Sequence, residues 1–209
     1  LKYIARIAKE EMFSKGCKIF SESSSGESFY LTISGRIKIY TCSPSGKTKT
    51  LAYLDPHDFF GEMALFDQES RSASAEAVED TRVLIINKKD FQKLLLKNPG
   101  LTLQFLKAVC QRLRQADKEI QSLTFQNVFS RIAHILLKMA DKYGQPQPSG
   151  IKINIDITHH ELAQLAGTAR EMATRILKRL KNIGCIQIGS TDNKIVLTNI
   201  DKIKDLIHY

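Results

Sequence analysis

Residues 157–184 read ITHHELAQLAGTAREMATRILKRLKNIG, and they parse into two short helices joined by a glycine turn. Thr158 is placed to cap a helix whose apolar face is Leu162, Leu165 and Ala166. Glu161, three residues on, completes a capping-box pattern. Gly167 ends that helix, and Thr168 is expected to cap a second one running from Ala169 to about Asn182, with Glu171 at its third position. Ala163 and Gly167 suit the crowded crossing and tight turn of a helix-turn-helix. The second helix would bury Met172 or Ala173, then Ile176, Leu177 and Leu180. Its outward face would carry Arg170, Glu171, Thr174, Arg175, Lys178 and Lys181. The following IQIGSTDNKIVL, with a Thr-Asp-Asn-Lys turn, reads as a wing.

That outward face gives the basic charge of the chain a place to act. An Arg at the start of the helix and another five residues on both reach base edges in a major groove. There a bidentate contact to guanine O6 and N7 discriminates by roughly 1–3 kcal/mol. Glu171 suits a cytosine N4 donor, and Thr168 and Thr174 complete the DNA-facing set. Lys178, Arg179 and Lys181 suit phosphates, which add affinity and salt dependence rather than sequence choice. The competing reading is a solvated basic face; the capped helix, glycine turn, basic helix and wing together favour DNA.

Upstream the character differs. From Cys17 to about Asn87 short β-rich runs, Phe29 to Ile33, Arg36 to Thr41, Thr50 to Leu54 and Arg82 to Ile86, alternate with turn residues, as in an antiparallel barrel or sandwich. Helical periodicity then covers Lys88 to Lys97 and Leu101 to about Tyr143, with Pro99-Gly100 as the break. Leu106, Val109, Leu113, Ala116, Ile120 and Leu123 follow a three-four spacing that predicts a dimer seam, with Asn127 as a polar register position at its end; an amphipathic helix packed on its own domain is the alternative. GQPQPSG reads as a loop before a strand at Ile151 to Ile155. The expected organisation is a sensor domain at 1–126, including a central dimer helix from about 100 to 126, and a DNA-binding domain at 127–209.

The bulk properties agree with this plan. A chain of 209 residues that is 43% hydrophobic can bury one or two cores, and a formal charge of +9 calls for an anionic partner. No apolar run approaches a membrane span and the first residues do not form a secretory core, so a soluble cytoplasmic protein without membrane attachment is expected. The chain opens on Leu1 rather than Met, which leaves its true start open. Cys17, Cys42, Cys110 and Cys185 are too scattered for a zinc or iron–sulfur site and are expected to be buried free thiols rather than disulfides. No nucleophile–base pair or metal spacing points to an enzyme.

The segment FFGEMALFDQESRSASAEA, residues 59–77, carries the second chemistry. Gly61 admits a ligand close to the backbone, Glu62 suits a hydroxyl, and Arg71 with Ser72 suits a phosphate, a set that fits a phosphorylated ribose. A surface loop with a Glu62–Arg71 ion pair is the alternative.

This segment resembles the phosphate-binding cassette of cyclic-nucleotide-binding domains. From about Phe13 to its end the chain is similar to the catabolite activator and FNR (CRP/FNR) family of bacterial regulators, with Gly35 and Gly46 at the family's turn glycines. The resemblance implies an α+β protein: a β-roll of jelly-roll type, a long central dimerisation helix and a winged helix-turn-helix. It implies that Gly61 and Ser72 surround a cyclic phosphate, Arg71 meets its charge and Glu62 takes the ribose hydroxyl, and that Arg170, Glu171 and Arg175 read TGTGA-type half-sites. Its implied partners are double-stranded DNA, a second copy of the chain, RNA polymerase and a small effector, a cyclic nucleotide resembling cyclic AMP. Two departures concern that effector. Ala116 and Asp117 stand where cyclic-AMP-responsive members present a Thr-Ser pair, and His57 stands at a usual Gly, which raises haem as a lesser option. The cysteine cluster of FNR-type oxygen sensors is absent. A cyclic-nucleotide-binding module acting on a protein partner, or a gas-responsive regulator, are the competing functions.

Overall fold

The computed structural model describes residues 7–189 and 194–207, and the chain divides into two compact units, Leu1–Arg112 and Leu113–Tyr209. The division falls inside the long central helix.

The first unit is built from antiparallel strands β1 (Ala8–Phe13), β2 (Lys18–Phe20), β3 (Ser28–Ser34), β4 (Ile37–Cys42), β5 (Thr48–Leu54), β6 (Phe59–Phe60), β7 (Ser74–Ala77) and β8 (Thr81–Asn87). They form two four-stranded sheets, ordered β1-β8-β3-β6 and β2-β7-β4-β5. Ile37, Leu54, Phe60, Ala75, Ala77 and Val83 form one apolar core of this roll. A second cluster joins Phe29, Leu65 and Ile86 to Phe91, Leu94 and Leu95 of α2 (Lys88–Lys97), which Asn87 caps by accepting from the Asp90 amide. The short α1 (Met63–Phe66) lies between β6 and β7. The four strands expected from β-rich runs are present. The edge strand β1 was not expected, because its AKEEMF is charged and acquires its order by pairing with β8 over its whole length.

The central helix α3 (Pro99–Phe125) begins at Pro99 itself, so Pro99-Gly100 opens the helix instead of breaking the chain. Proline has a preset φ and no amide to lose in a first turn. Leu101 to Tyr143 is likewise two helices, since α3 stops at Phe125 and α4 (Val128–Tyr143) follows. Asn127 is therefore not a seam position. With φ −71 and ψ 164 it is the N-cap of α4, its side chain accepting from the Ser130 amide at 2.9 Å.

Beyond α4 come β9 (Gly144–Gln147), β10 (Gly150–Ile153), α5 (His159–Ala166), α6 (Arg170–Asn182), β11 (Ile186–Ile188), β12 (Ile195–Leu197) and α7 (Ile200–Asp205). The expected loop GQPQPSG thus contains strand β9, whose Pro146 is tolerated because β9 is at the edge of the sheet β11-β12-β10-β9. Ile132, Leu136, Ile153, Leu162, Leu177, Leu180, Ile186, Leu197 and Ile203 form the core of this unit. The β11–β12 pairing has the form of the expected wing, while the wing turn at 190–193 lies outside the described residues. The cysteine expectation is corrected: all four are free, but Cys17, Cys42 and Cys110 are exposed and only Cys185 is buried.

Because Asn127 caps α4, Asn127→Ala should lower unfolding stability by about 0.5–2 kcal/mol in urea melts, with Asn127→Asp retaining most of the wild-type midpoint. An unchanged midpoint for the alanine variant would remove the capping role.

Candidate functional site

The cassette is organised around one buried cation. Arg71 is 4% exposed, and its Nη1 donates to the Gly61 carbonyl at 2.5 Å and Nη2 to the Ser28 carbonyl at 2.8 Å. Its guanidinium lies 4.3 Å from the Phe20 ring centroid and 5.6 Å from that of Tyr30, and its buried Nε has no hydrogen-bond partner. Burial pushes the Arg71 pKa below its ordinary value, against the pull of Tyr30 and Glu62. Gly61 has φ +77, and a Cβ there would meet Arg71 Nη1 at 2.6 Å, so both conformation and space demand glycine.

The alternative Glu62–Arg71 ion pair is not formed. Glu62 Oε1 instead accepts from Arg112 Nη1 at 3.1 Å, while Arg112 Nη2 donates to the Phe59 carbonyl and the guanidinium stacks 4.1 Å from the Phe59 ring. Sequence reasoning missed Arg112; its one signal is its position a helical turn before Ala116. Gly61, Glu62 and Arg71 are brought together. Ser72 is exposed, its hydroxyl donating to Met63 Sδ at 3.4 Å. Ala116 and Asp117 are exposed residues of the second unit. His57 is exposed in a turn at φ +76, a conformation that glycine adopts more readily. Among the described residues no group of three or more His, Cys, Asp or Glu is arranged to hold a metal.

In the second unit the Thr158–Glu161 capping box is complete. Gly167, at φ 62 and ψ 48, closes α5, and the Gly167 and Thr168 amides bond the Gln164 and Ala163 carbonyls. This is a Schellman closure. Thr168 does not cap the next helix as expected: the N-cap of α6 is Ala169, without a side-chain bond, and Glu171 falls at the second helical position. The reason is the tightness of the turn, in which the Thr168 backbone is already committed to ending α5.

Ala173, Ile176, Leu177 and Leu180 of α6 are buried, with Met172 half-buried, whereas Arg170, Glu171, Thr174, Arg175, Lys178 and Lys181 are exposed. Thr174 is partly occupied, since its hydroxyl donates to the Arg170 carbonyl at 3.0 Å and lies 3.0 Å from His159 Nδ1. His159 was not singled out from the sequence; only the turn brings it beside α6. Arg179 stacks on Phe129, 5.0 Å from the ring centroid. A cleft of about 770 Å³, lined by Asp156, His159, His160, Arg170, Ile188 and Ile195 among others, opens beside the start of α6.

Comparison with known proteins matches both units. Residues 10–98 match the family model described as Cyclic nucleotide-binding domain, and residues 130–206 match the Crp-like helix-turn-helix domain. The chain is 36% identical over 181 residues to the Cyclic AMP receptor protein of Thermus thermophilus, covering 87% of this chain and 81% of that protein. It is 34% identical over 199 residues to the Anaerobic regulatory protein of Bacillus subtilis, covering 95% and 83%. The chain belongs to the CRP/FNR family of transcription regulators. A crystal structure of a CRP/FNR-family regulator from Thermus thermophilus superposes with a TM-score of 0.78 at 27% identity, over 96% of this chain and 99% of that one. CooA of Carboxydothermus hydrogenoformans, as a mutant, shares the fold with a TM-score of 0.85 at 24% identity, over 98% and 89%. This family member is thus a DNA-binding regulator with a cyclic-nucleotide-binding-type domain, and not an enzyme. Among the described residues no helix is long and apolar enough to cross a membrane.

Gly61→Ala, which must hold a left-handed backbone while displacing Arg71, should cost about 1–3 kcal/mol in denaturant unfolding followed by tyrosine fluorescence. Full retention of the wild-type midpoint would show that the cassette backbone relaxes freely.

Proposed function

We propose that this regulator acts in the cytoplasm as a homodimer, gated by a phosphate-bearing effector of the cyclic AMP type, on TGTGA-like palindromes. The observation that carries this reading is the exposed face of α6, where Arg170, Glu171, Thr174, Arg175 and Lys178 project away from a fully buried apolar stripe. Arg170 and Arg175 are the guanine readers and Glu171 the cytosine reader. Lys178 and Lys181 hold phosphates, and the Thr168 backbone and Thr174 hydroxyl set the start of the helix against the duplex.

The seam residues support dimerisation. Leu106, Leu113, Ile120 and Leu123 are 54%, 63%, 62% and 44% exposed in the single chain. Burying such a side chain from full exposure is worth about 1.5–3 kcal/mol, so covering the half that remains exposed contributes roughly 0.7–1.5 kcal/mol each. The two α6 helices would then enter successive major grooves about 34 Å apart, one DNA turn. Effector gating is a shift between dimer arrangements that differ in ligand affinity.

For the effector, the support is the buried Arg71 with its free Nε, the Gly61 backbone beside it and the Glu62 carboxylate. Anionic phosphate oxygens are stronger acceptors than the carbonyls that Arg71 now holds. Ala116 and Asp117, at the positions that face the base in cyclic-AMP-responsive members, lack the paired hydroxyls, so base selectivity is expected to differ from theirs. RNA polymerase is the proposed protein partner on DNA.

Fluorescence anisotropy with a labelled TGTGA palindrome tests the DNA reading. Arg175→Ala should weaken binding by about 1–3 kcal/mol and relax the choice of base at its position, whereas Lys178→Ala should weaken all duplexes alike and reduce the salt slope by about one. Equal affinity of the wild type for palindrome and scrambled duplex would favour the protein-docking alternative. In the same assay cyclic AMP, cyclic GMP and haem are titrated, the effector being the one that changes DNA affinity. By calorimetry Arg71→Leu should weaken a cyclic nucleotide by about tenfold or more; unchanged affinity would remove Arg71 from that role.

A further inference from the structure

Arg131, in the first turn of α4, stands where its own helix disfavours it, because the start of a helix carries partial positive charge. Two other helices supply the compensation. Arg131 Nη1 donates to the Gln126 carbonyl at 2.8 Å, just past the end of α3, and its Nε donates to the Ala166 carbonyl at 2.9 Å, at the end of α5. Both acceptors belong to the orphan carbonyls that a helix leaves at its C-terminus, where a cation is favoured.

The neighbouring contacts converge on the same two ends. The Gln126 amide bonds the Ser122 carbonyl at 3.0 Å, and its side-chain oxygen accepts from the Ser122 hydroxyl at 2.7 Å, which fixes the last turn of α3. On the other side Ala166 is followed by Gly167, and a Cβ at Gly167 would lie 3.3 Å from Leu123 Cδ2. The end of α3 thus packs on the turn between the DNA-binding helices, and a single guanidinium hydrogen-bonds to both.

We infer that Arg131 is a positioning residue, a clamp that sets the angle of the helix-turn-helix against the end of α3. This rests on the assignment of α6 as the DNA-reading helix. A change in α3 is then carried to α6 through rigid geometry: Gln126, Arg131, Ala166 and the Gly167–Thr168 turn. The planar fork of arginine suits two acceptors held at a fixed spacing, which a lysine ammonium on a flexible stem does not reproduce.

The test uses the full chain and needs no DNA for its first readout. Amide hydrogen exchange followed by mass spectrometry compares wild type with Arg131→Met, Arg131→Lys and a control, Arg179→Met, which removes the Phe129 stack but not the clamp. Both Arg131 variants should exchange about tenfold faster in segments 123–128 and 164–169, with the cores of α4 and α6 unchanged and the control at wild-type rates in both segments. Affinity for the duplex that wild type binds best should fall about tenfold in both Arg131 variants. Unaltered exchange in either segment, acceleration spread evenly over the second unit, or a control that reproduces the local acceleration would overturn the proposal. Local acceleration with unchanged DNA affinity would overturn its link to DNA reading.

Discussion

The rotation of α6 about its own axis is set by four side chains, Ala173, Ile176, Leu177 and Leu180, that are buried against Ile132, Leu136, Leu162, Ile186 and Leu197. Burial of each large apolar group contributes about 1.5–3 kcal/mol, far more than any single exposed contact on the opposite face. The helix cannot turn to expose that stripe without losing the core of its unit. Consequently Arg170, Glu171, Arg175 and Lys178 are held toward solvent in one orientation before any DNA is present. The elements around α6 serve the same constraint. The Schellman closure at Gly167 fixes where α6 starts, and the Arg131 contacts hold that turn to the end of α3.

The sensor unit solves an opposite problem, keeping charged groups inside a β-roll without stranding them. Arg71 is removed from water but receives two carbonyls and two aromatic faces, and Glu62 receives Arg112. A buried charge without such partners is strongly disfavoured. The two carbonyls that Arg71 holds are weaker acceptors than anionic oxygens, whereas the bond from Arg112 to Glu62 is charge-assisted on both sides. Phe20 and Tyr30, whose faces meet the cation, pack with Phe60 at ring-centroid distances of 4.9–5.9 Å.

Much of this plan is legible in the residues, and the exceptions have physical causes. Periodicity identifies elements that hold a strong amphipathic pattern, such as α2 and α6, and turn chemistry identifies the Thr158 capping box. It fails where partners distant in sequence decide. Strand β1 is charged and ordered only by β8, and β9 contains a proline that a central strand would reject. Asn127 and Thr168 illustrate the same limit at helix ends. Each is a plausible residue for the role first read from spacing, but one amide or side chain serves only one end, and the packed turn determines which.

The sequence alone determined the family, the order of the two units and the identity of the charged residues on α6, because these follow from patterns local to a few turns of chain. Only the tertiary structure decided which partners those charges take. Arg71 bonds to carbonyls rather than Glu62, Arg112 reaches Glu62 from fifty positions away, and Arg131 joins two helix ends. Hydrogen bonds between distant residues depend on distances of a few tenths of an ångström. Such distances arise only when the whole core has packed.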